Sequence, residues 1–193
     1  MRFNMSWVCV DGIGPEALYE ALDLAPTGEI PDLWDLGLSD MPWAGGTLKS
    51  GWCAVFASYE AALDLAILRL PAHCRCIVCV VMEIVTISQA SLWQGGREIW
   101  NVVHQGDLGI TDLEASGDLP PEFAGIRDIA MDKARAPLKK LKSYTPGEWT
   151  GDDEWTGDYV FDVPINTAAA ITGFRHDRRE GFFGNLQTLA PVK

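Results

Sequence analysis

The residues of this chain that could do chemistry are three histidines, a close group of cysteines, scattered arginines beside tryptophans, and a repeated acidic tryptophan motif. His104 and His176, with Asp177 and Glu83, could make an acid–base group or a metal site if they converged. Trp93, Arg97 and Trp100 surround a Gly-Gly turn, and Arg175, Arg178 and Arg179 lie near the C-terminus. Arginine beside exposed indole can cradle an anion or a carboxylate. One reading is therefore a small enzyme or ligand-binding domain whose pocket is lined by Trp93, Arg97, Trp100, His104, Arg175, His176 and Asp177. The spacing does not itself bring these residues together, and hairpin aromatics commonly serve as cross-strand pairs. No Gly-x-Ser-x-Gly, His-Glu-x-x-His or Walker pattern occurs, so the sequence names no catalytic residue.

Glu148-Trp149-Thr150-Gly151-Asp152 recurs as Glu154-Trp155-Thr156-Gly157-Asp158, with Asp153 between. Trp flanked by acids can grip a basic surface, because an indole supplies contact area at low entropic cost. Trp149, Asp152, Asp153, Glu154 and Trp155 are accordingly the candidate partner-binding residues. The carboxylate spacing does not match a calcium loop.

Two other motifs are expected to be architectural. Gly12-Ile13-Gly14-Pro15-Glu16-Ala17 fits the dinucleotide pattern G-x-G-x-x-A. Asp11 and Glu16, however, place carboxylates where phosphates would lie, and Pro15 removes a donor. A proline-started helix is expected instead. In Cys74-x-Cys76-x2-Cys79, a strand would put Cys74 and Cys76 on one face and Cys79 on the other, so the thiols would pack rather than hold metal. No cofactor and no metal are expected.

Composition bounds the rest. Hydrophobic residues make up 48% of the 193, and formal net charge is −12. Residues 1–126 hold 17 acidic and 5 basic side chains, whereas 127–193 hold 10 of each. Such a field disfavours nucleic acid and anionic membranes, and it suits a basic protein partner or plain solubility. No apolar run reaches the roughly 20 residues needed to span a bilayer. An odd cysteine count in apolar contexts, and no recognisable signal peptide, point to a cytoplasmic, bacterial-type protein with free thiols.

The elements that must position these residues follow from periodicity and punctuation. Trp7–Val10 reads as a strand, then a helix begins at Pro15. Residues 26–51 read as a long irregular loop, Gly51–Phe56 as a strand, and Ser58 to about Leu70 as a helix capped by Ser58. Residues 74–83 are apolar on both alternating faces, which predicts a strand covered on each side. A hairpin over 83–104 turns at Gln94-Gly95-Gly96. An acidic loop follows, then a helix from Pro120 to about Lys142 that Pro137 should kink or divide. Asp158–Val163 reads as a last strand, and Pro164–Thr172 as a short helix closed by Gly173. The whole predicts one α+β domain over 1–193. Its mixed or mainly antiparallel sheet centres on the hairpin and is flanked by about four helices, with 143–157 as a mobile flap. The expected function is that of a non-catalytic binding protein of inhibitor or immunity-like type, using an acidic, Trp-bearing surface.

Overall fold

The computed structural model describes residues 4–30, 43–58, 70–142, 158–178 and 185–192. Their architecture is α+β: nine strands in one antiparallel sheet, with three helices among the described residues. The strands are β1 (Asn4–Asp11), β2 (Leu24–Pro26), β3 (Trp43–Thr47), β4 (Cys53–Ser58), β5 (Arg75–Met82), β6 (Ile87–Gln94), β7 (Arg97–Gln105), β8 (Glu114–Gly117) and β9 (Gln187–Pro191). The helices are α1 (Pro15–Ala21), α2 (Phe123–Lys142) and α3 (Asp162–Thr172). Spatial order is β2-β9-β3-β4-β1-β5-β6-β7-β8, and every neighbouring pair is antiparallel.

β1 and β5 lie at the middle because both of their faces are apolar. Met5, Trp7 and Cys9 of β1 join Ile77, Cys79 and Val81 of β5 in one core. Val8 and Val10 join Cys76 and Val78 in a second core on the opposite face. The first core is closed by Phe123, Ala130 and Ala134 of α2 and by Val163, Ile165 and Ala168 of α3. The second is closed by Leu18 and Tyr19 of α1. Phe174, just beyond α3, sits edge-on to Trp7 at 5.7 Å and to Phe56 at 5.1 Å between centroids. Such aromatic pairs add about 0.5–1.5 kcal/mol each beyond their buried area.

The Gly-Gly turn forms as expected. Gly95 and Gly96 both have positive φ (58° and 72°), as a two-residue loop with the native strand twist requires, and Gln94 pairs with Arg97. The hairpin is nevertheless off-centre, because β6 and β7 lie seventh and eighth in the sheet while β1 is fifth.

Several other expectations are corrected. Residues 159–161 form a turn rather than a strand, and α3 begins at Asp162. The alternation there is real, but the Asp158 carboxylate accepts from the Val160 and Phe161 N–H groups and draws the chain into a helical entry. Pro137 does not divide α2. Ser58 is the last residue of β4, and the helix expected to begin there falls outside the described residues. β3, β8 and β9 occupy stretches that read as loop or tail. At Gly117 of β8, an added Cβ would meet the Ile99 carbonyl at 2.1 Å, so only glycine lets this edge strand approach β7. Gly173 ends α3 in the left-handed conformation (φ 72°), as its position predicts.

Candidate functional site

Alternation along β7 puts Trp100, Val102 and His104 on the face that α2 and α3 cover. His104 is fully buried at the end of that strand. Its Nδ1 lies 2.6 Å from the Asp112 carbonyl and its Nε2 lies 2.7 Å from Asp158 Oδ2. A carbonyl oxygen and a carboxylate only accept, so both ring nitrogens donate and the ring is held as the imidazolium. Burial opposes the charge. The Asp158 hydrogen bond, the Asp112 carbonyl and the charges of both carboxylates outweigh it and raise the His104 pKa.

The same contacts gather three parts of the chain. Asp158 Oδ1 caps the turn into α3, and Asp112 Oδ2 accepts from the Gln105 N–H at 3.3 Å. Ser88 of β6 donates to the Phe161 carbonyl at 2.6 Å. Lys133 of α2 lies over the Tyr159 ring at 5.5 Å. A histidine acting as general base needs a free ring lone pair facing its substrate. Here one nitrogen faces a backbone carbonyl and the other a carboxylate, so the pair works as a latch.

A second buried polar centre follows α3. Arg175, with a side chain only 9% exposed, donates twice to Asp177 (2.9 and 3.0 Å), once to Asp162 (3.2 Å) and once to Asn166. The fork is thus committed to the start and second turn of α3 and to its own loop. Next to it, His176 packs against Trp7 at a 32° tilt, with centroids 5.3 Å apart. Burial lowers the His176 pKa to about 4, with the neighbouring Arg175 charge adding and Asp177 opposing. This ring is neutral where His104 is charged.

The residues of the expected pocket are therefore placed apart. Trp93 packs on the α1 face and donates to Ser91 Oγ at 2.9 Å, while Trp100 is buried on the other face opposite Leu92. A register shift after Leu92 accompanies this separation. Arg97 is exposed at the hairpin turn. β5 and β6 intervene between His104 on β7 and the Trp7 that carries His176 on β1, about 14 Å at 4.8 Å per strand. A shallow depression, open to solvent, lies between Leu70, Pro71, Cys74, Cys76, Trp93 and the Gly95-Gly96 turn. Its volume of about 10 Å³ is room for about one water, far below the roughly 300–1,000 Å³ usual for ligand sites. Trp149, Asp152, Asp153, Glu154 and Trp155, like the 143–157 segment as a whole, lie outside the described residues.

The five cysteines are buried, Cys9 and Cys79 on the α2/α3 face and Cys53, Cys74 and Cys76 on the other. Burial, with Cys74 nearby, pushes the Cys76 thiol up to about 12, so it is a poor nucleophile. Among the described residues no three His, Cys, Asp or Glu side chains are grouped to hold a metal. The Gly12–Ala17 segment forms a glycine turn (Gly12 φ 93°) and a helix with Pro15 in its first turn. Both neighbours of β1 are antiparallel, whereas a dinucleotide fold needs a parallel βαβ unit. No helix among the described residues is long and apolar enough to cross a membrane.

What sequence reasoning missed is the pairing of His104 with Asp112 and Asp158. Asp158 read as the last acid of the tandem motif and the start of a strand, and a contact across 54 residues has no local signal. The chain matches no protein-family model, no curated protein and no solved structure.

Proposed function

We propose that this chain is a non-catalytic binding protein that meets a basic protein partner through an acidic surface. One observation carries the reading. Asp107, Glu114, Asp118 and Glu122 are exposed in succession around β8, and none makes an ion pair among the described residues. β8 is an edge strand with all four residues exposed. Carboxylates set out this way meet a cationic surface with little rearrangement, and they steer its approach. The cationic and titratable groups that a catalytic reading would use, His104 and Arg175, are instead committed to internal partners.

The test is capture from the native lysate at about 50 mM and about 500 mM salt, with retained species identified by mass spectrometry. The expected outcome is a basic protein retained at low salt and released at high salt, as screening shortens the Debye length from over 10 Å to a few ångströms. Retention of acidic or small-molecule ligands alone would overturn the reading.

A further inference from the structure

The loops beside the His104 latch carry aliphatic side chains that the core does not use. Ile84 and Val85 are 62% and 44% exposed in the turn between β5 and β6. Leu108 and Ile110 are 64% and 37% exposed in the loop after β7. The two loops are at one end of the sheet, because Ile87 pairs with Gln105 and the Gly106 N–H donates to the Thr86 carbonyl at 2.8 Å. The other large exposed aliphatics among the described residues, Ile30, Ile129 and Val192, belong to separate parts of the chain. Turns and loops ordinarily carry polar residues, so four aliphatics on two hydrogen-bonded loops call for a covering surface.

The electrostatics around them select its chemistry. Asp107 lies in the second of these loops and Glu114 opens the adjoining β8, both exposed. From Cys76 to Ile126 the one Lys or Arg is Arg97, at the opposite end of the hairpin. A second copy of the chain would press acids against acids at a net charge of −12 each.

The geometry points to the Ile84, Val85, Leu108 and Ile110 patch as the docking surface for a protein that presents apolar side chains flanked by Lys or Arg. This rests on the binding reading above and adds its location and its apolar component. The aliphatic centre supplies affinity by leaving water, and the acidic rim orients the partner.

The probes are an 18-residue peptide of Leu and Lys and an oligolysine of equal charge, titrated against the intact chain at low salt. The Leu/Lys peptide should bind at least about tenfold more tightly, since each buried aliphatic adds to affinity. On binding it should slow amide exchange over 83–86 and 106–112. Ile84→Ser with Leu108→Ser should reduce its affinity to that of oligolysine, whereas Ile129→Ser should not. Melting temperatures show that each variant folds, and the exchange footprint needs no variant at all. Equal binding of both peptides, or protection elsewhere, overturns the patch and leaves the acidic reading standing. Binding of neither overturns both. A wild-type dimer in sedimentation that Leu108→Ser dissociates assigns the patch to a second copy and overturns the basic partner.

Discussion

His104 and His176 are both packed under the sheet on the α2/α3 side, yet they are held in opposite protonation states. Around His104 the chain supplies two acceptors, 2.6 and 2.7 Å away, and the ring carries a charge. Around His176 it supplies the face of Trp7 at 5.3 Å and the positive Arg175, and the ring stays neutral to about pH 4. Burial disfavours the charged form in both places. At His104 two acceptors overcome that penalty, whereas at His176 burial outweighs the Asp177 charge. Burial alone is therefore a poor guide to what a histidine does.

The comparison breaks most sharply at His104. His104→Ala removes the ring, leaves a cavity and deprives Asp158 of its countercharge. It should cost about 3–5 kcal/mol in urea unfolding. A loss under about 1 kcal/mol would mean that the two contacts are not a latch.

Arg175→Met comes next, at about 1–2 kcal/mol. Its partners Asp162 and Asp177 are 46% and 39% exposed and can rehydrate, and methionine keeps part of the packing. A cost as large as that of His104→Ala would show that the arginine centre is the dominant one.

The smallest effect at neutral pH belongs to His176→Phe, which keeps a ring against Trp7 and should stay within about 1 kcal/mol. Its signature lies in pH dependence. His176 has a folded pKa of about 4, below its unfolded value near 6.5, so its contribution is present above 6.5 and is lost as pH falls towards 4. His104 has a raised folded pKa, so its contribution is full below about 6.5 and is lost as pH rises through the raised value. Unfolding midpoints from pH 4.5 to 8.5 should show that His176→Phe flattens the acid limb and Asp158→Asn the alkaline limb. The same limb changed by both variants would refute the assignment.

Local pattern determined a good part of this molecule. Period-two alternation with no polar face marked β5 as buried on both sides, Gly95-Gly96 marked the turn between β6 and β7, and Gly173 marked the end of α3. The separation of Cys79 from Cys74 and Cys76 was legible for the same reason, since strand geometry alone assigns faces. These signals lie within a few residues of the structure they specify. The short strands β2, β3, β8 and β9 were not legible, because a strand of three to five residues gains its stability from the neighbour it pairs with. Asp158–Val163 shows the limit most directly. Its apolar alternation suits a strand, and a carboxylate that also pairs with His104 draws it into a helix entry. Charge state, latch and exposed aliphatic patch all depend on contacts between residues far apart in the chain, and only tertiary structure decides those.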